Sequence, residues 1–143
     1  MRDVDEIILH CSATPARMDC GAVEIRHWHV DENGWQDIGY HWIVRRNGVV
    51  EMGRPESKVG AHCTNHNSRS IGVCLIGGTT NDVKGPEDNF TQAQFDSLAK
   101  VIRELRDRYP HTSIHGHSEF ANKACPVFDV DKFLAKYGIA RRA

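Results

Sequence analysis

The hydrophobic positions of this chain fall into short apolar runs that polar segments separate. Residues 4–11 form a run too short for an ordinary helix, so they predict a buried first strand. Residues 71–76 are apolar on both alternating faces apart from one glycine, as expected of a central strand covered on both sides. Residues 40–46 and 49–52 flank an Asn-Gly dipeptide, which predicts a β-hairpin that Tyr40 opens.

Helical spacing of apolar residues predicts three helices. Residues 91–94 form a capping box, and an apolar stripe follows until Pro110 ends the helix. Residues 23–30 predict an earlier helix, and residues 129–137 predict a last one with a glycine at its C-terminus. Between the last two helices, residues 112–115 suit a short strand.

The order of these elements predicts the fold class. A strand, a helix, three strands, a helix, a strand and a helix indicate an α/β fold with a mixed central β-sheet flanked by helices. The polar segment 77–89 predicts a long loop, and the sequence contains no repeat or interdomain linker. We therefore expect a single domain over residues 1–143, a length that suffices for one core.

Charge and composition narrow the function. The chain has 18 Lys and Arg against 19 Asp and Glu, so nucleic acid binding is not expected. Its apolar runs are far shorter than the ~20 residues that span a bilayer. The first six residues include three acids, unlike a secretory signal, so we expect synthesis in the cytoplasm. Nine His and an odd count of five Cys point toward metal chemistry.

A zinc site is the strongest candidate for chemistry. His117 and Cys125 lie eight residues apart in a segment that leaves a strand, and such a pair needs a third donor from elsewhere. His10, at the end of the first strand, is a natural supplier. Because neighbouring strand residues point to opposite faces, His10 is assigned to the metal and Cys11 to the core. His115 is the alternative to His117, since it precedes His117 by two residues on the same predicted face.

Three protein ligands leave the fourth position of tetrahedral zinc for water, which is typical of catalytic zinc sites. Hydrolysis is then the implied reaction class. Lys123 lies two residues before the candidate ligand Cys125 and would reach the same side of an extended loop, as a partner for an oxyanion. Tyr40 offers a second donor. Glu119 either orients a ligand histidine or faces solvent.

Five segments of the chain resemble, in order, the zinc-dependent N-acetylmuramoyl-L-alanine amidases of the small phage-lysozyme (endolysin) type. The segments are residues 10–14, 39–42, 59–62, 70–74 and 123–126. More distantly the chain resembles peptidoglycan-recognition proteins. The resemblance implies one Zn²⁺ held by His10, His117 and Cys125, with Tyr40 and Lys123 assisting cleavage of the bond between the muramoyl lactyl group and L-Ala.

The resemblance also implies partners and a place of action. The substrate is peptidoglycan with its muramoyl stem peptide, and His62 is a candidate substrate-binding residue, an exposed loop position being the alternative. We expect a monomer that is made in the host cytoplasm and acts on periplasmic peptidoglycan after release. Binding to RNA polymerase stays open, because some phage relatives are thought to be bifunctional.

Two other function classes use some of the same residues. One is a non-catalytic peptidoglycan-binding module, which the joint presence of Tyr40, Lys123 and Cys125 disfavours. Another uses Cys125 as a nucleophile activated by His117. Cys20 and Cys63 match no family segment, and we expect them to be two unrelated loop thiols in a chain with five free thiols.

Overall fold

The computed structural model describes residues 2–142. The strands are β1 (Glu6–Cys11), β2 (Thr14–Pro15), β3 (Trp42–Val44), β4 (Val50–Met52), β5 (Ser70–Leu75), β6 (Gly78–Thr79) and β7 (Ser113–Gly116), and the α-helices are α1 (Ala22–His27), α2 (Gln92–Arg108) and α3 (Val130–Tyr137). Five strands form a mixed sheet in the order β4-β3-β5-β1-β7, in which only β4 is antiparallel to its neighbour. The predicted fold class is confirmed.

The two faces of this sheet differ in what they bury. On β1, Ile7 and Leu9 belong to the larger core, which helices α2 and α3 cover. Because strand side chains alternate, His10 points to the opposite face. On that face a smaller core forms beside α1, and it includes Ile25, Ile43 and Cys74. One face therefore supplies most of the apolar burial and leaves the other free to carry polar groups.

The helix ends follow the predicted capping chemistry. The Thr91 side chain accepts a hydrogen bond from the Gln94 backbone N–H at 3.1 Å, and the Gln94 side chain accepts one from the Thr91 N–H at 2.9 Å. Asp129 is the N-cap of helix α3, where its carboxylate accepts a hydrogen bond from the Lys132 N–H, and Gly138 is the C-cap, with φ +66°. The side chains of Thr91 and Asp129 thus satisfy backbone donors that the first turn of each helix leaves without partners.

Three elements differ from the predictions. The first helix is α-helical only to His27 and continues as a π-helical turn over Trp28–Glu32. The hairpin strands are three residues each, so Tyr40 precedes β3 instead of opening it. Within the predicted loop 77–89, β6 pairs in parallel with β2, a contact too short to leave a hydrophobic pattern.

No helix in residues 2–142 is long and apolar enough to cross a membrane. All five cysteines are free thiols in the structure. Cys20 and Cys63 lie outside the helices and strands, as expected of loop thiols, and both are buried, at 2% and 3% exposure. Cys20 lies in the smaller core, where a small polarisable side chain fills space like an apolar one.

Candidate metal centre and active site

The side chains of His10, His117 and Cys125 converge at one edge of the sheet. Their candidate ligand atoms all lie within 4.8 Å of one another. His10 is near the carboxyl end of β1, and His117 directly follows β7, the parallel neighbour of β1. Parallel strands bring their carboxyl ends to the same edge, which is where open α/β sheets bind ligands. The chain returns to this edge after β7 and adds Cys125 from a loop.

Backbone hydrogen bonds hold Cys125 in place. The Cys11 N–H donates to Cys125 Sγ at 3.2 Å, and the Ser118 N–H donates to the Cys125 carbonyl at 2.7 Å. Cys125 Sγ lies 3.9 Å from His10 Nδ1. Two ligands of tetrahedral zinc, one sulfur and one nitrogen, are about 3.5 Å apart, so this donor set and spacing fit a zinc ion.

The protonation states of the two histidines favour metal binding. Burial lowers the pKa of His10 well below its ordinary value, and the neighbouring His62, His117 and Lys123 lower it further. Burial also lowers the pKa of His117, and the positive charge of Lys123 lowers it further. Both rings are therefore neutral at pH 7, which is the form that coordinates a metal ion.

The Cys125 thiol, in contrast, favours its protonated form when no cation is bound. Contact with the Cys11 thiol, together with burial, raises the pKa of the Cys125 thiol. A bound divalent cation reverses this preference, because a coordinating thiol is deprotonated outright. The site thus favours a thiolate only when a positive charge is present to balance it.

Tyr40 and Lys123 flank the three candidate ligands. The Tyr40 ring lies 5.1 Å from the His10 ring, centroid to centroid. Burial raises the pKa of Tyr40 well above its usual value, so the phenol stays protonated and can donate a hydrogen bond. Lys123 is exposed and makes no ion pair within residues 2–142. Its ammonium group is near enough to affect the pKa of both His10 and His117.

The alternative ligand His115 has other partners. Its Nδ1 lies 2.9 Å from Glu119 and its Nε2 lies 2.7 Å from Ser113 Oγ. Glu119 also accepts a hydrogen bond from the Gly116 N–H and pairs with Arg141. Glu119 therefore holds His115, so it neither orients a candidate ligand nor stands free in solvent.

His62 lies under the candidate centre, not along an open groove. It is 8% exposed, and its Nδ1 is 2.9 Å from His10 Nε2. On the other side of the ring, Nε2 is 3.2 Å from Ser70 Oγ. Sequence reasoning missed Ser70 and the contact between the two rings, because 52 residues separate His62 from His10 and no periodic pattern links them.

Comparisons with known proteins agree with this geometry. The sequence profile of the N-acetylmuramoyl-L-alanine amidase family matches residues 1–128. The endolysin of Enterobacteria phage K11 is 49% identical over 134 residues, which are 93% of this chain and 87% of that protein. The endolysin of Escherichia phage T7 is 47% identical over 133 residues, which are 92% of this chain and 86% of that one.

Solved structures of amidases and of a peptidoglycan-recognition protein share this fold. The N-acetylmuramoyl-L-alanine amidase LysC from Clostridium intestinale matches with a TM-score of 0.82 at 27% identity, covering 97% of this chain and 88% of that one. Drosophila PGRP-LB matches in fold, with a TM-score of 0.80 at 22% identity over 99% of this chain and 85% of its own. The family match spans most of the sequence and the endolysins are nearly half identical, so this chain belongs to the N-acetylmuramoyl-L-alanine amidase family.

Proposed function

We propose that this chain is a zinc-dependent N-acetylmuramoyl-L-alanine amidase that acts on bacterial peptidoglycan as a phage endolysin. One observation carries the zinc dependence: two neutral imidazoles and one thiol place their ligand atoms within 4.8 Å of one another. Family membership gives the bond, which joins the muramoyl lactyl group to the L-Ala of the stem peptide. His10, His117 and Cys125 are the proposed ligands, with one zinc ion per chain.

Zinc bound by these residues would supply a Lewis acid that activates water at neutral pH. The three ligand residues would hold this ion and balance its charge. His10 and His117 stay neutral, and Cys125 contributes the negative charge that balances the cation. Cys125 keeps its position through the Cys11 N–H, so the thiolate already has one hydrogen-bond donor.

Tyr40 and Lys123 act on the substrate. As water attacks the amide carbon, negative charge develops on the carbonyl oxygen and must be stabilised. Lys123 supplies a positive charge that no ion pair within residues 2–142 neutralises, and Tyr40 supplies a protonated phenol beside His10. Both residues are therefore proposed to touch the reacting carbonyl group.

The cysteine-nucleophile alternative fits the site less well. Cysteine nucleophiles work as thiolates, and proteins that use them lower the pKa of the thiol. Here contact with the Cys11 thiol and burial raise the pKa of Cys125. Alkylating the thiol of the zinc-loaded protein should therefore have little effect, whereas chelation should abolish activity.

The proposed place of action follows from the endolysin relatives. We infer that the chain is made in the host cytoplasm and reaches periplasmic peptidoglycan only after release. Peptidoglycan is the proposed partner, and the monomeric state remains our expectation. A direct binding measurement with RNA polymerase tests the alternative in which the chain also regulates that enzyme.

The products of peptidoglycan digestion test this proposal. The zinc-loaded protein should release free amino groups on L-Ala and create no new reducing sugar ends. New reducing ends would instead identify a glycosidase, and release of neither product would identify a binding module. Heat-treated protein serves as the control for spontaneous hydrolysis.

A further inference from the structure

His62 is packed edge-on against the candidate ligand His10. The two ring centroids are 4.9 Å apart and the ring planes are inclined by 88°. His10 Nε2 lies 2.9 Å from His62 Nδ1, so one of these nitrogens donates a hydrogen bond to the other. The contact is sealed from solvent, since His10 is 1% exposed and His62 is 8% exposed.

The direction of that hydrogen bond follows from the metal site. His10 Nδ1 faces Cys125 Sγ at 3.9 Å, so Nδ1 must offer its lone pair to a metal ion. The proton of a neutral His10 ring is then on Nε2, which donates to His62 Nδ1. His62 in turn carries its proton on Nε2, which lies 3.2 Å from Ser70 Oγ.

The His62 ring packs closely against two glycines and a serine. Ser70 and Gly72 lie on the same face of β5, and both are buried. A Cβ added at Gly72 would lie 2.6 Å from His62 Cγ, and one added at Gly60 would lie 2.8 Å from His62 Cδ2. The His62 backbone N–H also donates to Asn67 Oδ1 at 2.9 Å. Neighbours on several sides thus determine where the ring lies.

We propose that His62 is a positioning residue that holds His10 in the Nε2–H tautomer, while Ser70 Oγ accepts the hydrogen bond from His62 Nε2–H. This inference rests on the proposed zinc amidase function and deepens it. Metal-bound histidines commonly donate their second ring N–H to a fixed acceptor, which orients the ring and increases metal affinity. Here that acceptor is an imidazole, and it replaces the substrate-binding role that sequence suggested for His62.

Two substitutions at position 62 test the acceptor directly. His62→Leu removes it, and the zinc dissociation constant, measured by competition with a chromophoric chelator, should rise by about 10- to 100-fold. His62→Asn places an amide oxygen close to the position of Nδ1 and should keep an affinity near that of the wild type. In the zinc-free protein, ¹⁵N NMR should show His10 as a single Nε2–H tautomer, and His62→Leu should turn it into a mixture.

Two glycine substitutions address the space around the ring. Gly72→Ala should displace the His62 ring and weaken zinc binding without removing any polar group. Gly85→Ala is the matched control, because its added Cβ would meet no atom within 4 Å. This pair keeps the inference testable even if His62→Leu fails to fold.

A failure of the proposed zinc amidase function and a failure of the positioning role of His62 give different results. If wild-type protein binds no zinc, the proposed function is wrong, and this inference falls with it. If wild-type protein binds zinc and cleaves peptidoglycan, but His62→Leu binds zinc equally well and only raises KM, the proposed function stands and His62 contacts substrate. Equal zinc affinity in Gly72→Ala and Gly85→Ala would likewise refute the positioning role.

Discussion

Acid should destabilise this protein through His41, a histidine outside the metal centre. His41 is fully buried, and its Nδ1 accepts a hydrogen bond from the Gly72 N–H at 3.0 Å. Its Nε2 lies 2.8 Å from the Lys58 carbonyl, so the ring donates there. The neutral ring satisfies both neighbours, whereas a protonated ring would lose the acceptor at Nδ1.

The size of the effect follows from the pKa. Burial lowers the pKa of His41 from 6.5 to about 4. Below pH 6.5, His41 takes up a proton in the unfolded chain but not in the folded chain. The free energy of unfolding therefore decreases as the pH is lowered. Each pH unit costs up to about 1.4 kcal/mol, which amounts to about 2 kcal/mol between pH 7 and pH 5 and about 3 kcal/mol at pH 4.

Urea unfolding of the zinc-free protein at several pH values measures this dependence. His41→Gln should be less stable than wild type at pH 7 by about 1–3 kcal/mol, because the Gly72 N–H loses its acceptor. That difference should shrink by about 2 kcal/mol at pH 5, since the variant has no imidazole to protonate in the unfolded state. The exposed His111 gives the control: His111→Gln should change the unfolding free energy by no more than about 0.5 kcal/mol at pH 7. A constant difference between wild type and His41→Gln from pH 7 to pH 5 would refute the reasoning.

Three further predictions concern the metal centre and the thiols. Cys125→Ser should lose both zinc and activity, because a hydroxyl is a far poorer ligand than a thiolate; full zinc occupancy by elemental analysis would contradict this. Lys123→Ala and Tyr40→Phe should keep zinc and lower kcat by ~10²-fold, and an unchanged kcat would remove that residue from the mechanism. Denatured protein prepared without reductant should titrate as five free thiols, whereas three would indicate a bridge between Cys20 and Cys63. Cys20→Ser should lower the melting temperature with or without such a bridge, because a hydroxyl buried in the smaller core is itself destabilising.

Local signals in the sequence account for much of the fold. Helix α2 follows from its capping box and apolar stripe, and β5 from a run that is buried at every position. Both features depend on residues close together in the chain. The π-helical turn over Trp28–Glu32 and the two-residue strands β2 and β6 lack such signals, because their hydrogen bonds depend on distant parts of the fold.

In the candidate site, too, the residue types can be predicted from the sequence, whereas the contacts between distant residues cannot. Histidines at strand ends and a cysteine in a loop were visible in the sequence, but the adjacency of β1 and β7 is a property of the sheet. The choice of His117 over His115 depended on where the chain leaves β7, since His115 turns to Glu119. The pairing of His62 with His10 was hidden for the same reason, although the glycines at positions 60 and 72 hint at a close approach.

We propose that one zinc ion, held by His10, His117 and Cys125, is required for amide hydrolysis. Titrating zinc into chelator-treated protein while measuring the release of L-Ala amino groups from peptidoglycan tests it most directly. We expect activity to rise from zero in proportion to bound zinc and to stop rising at one ion per chain. Full activity in protein shown to be free of metal would contradict it.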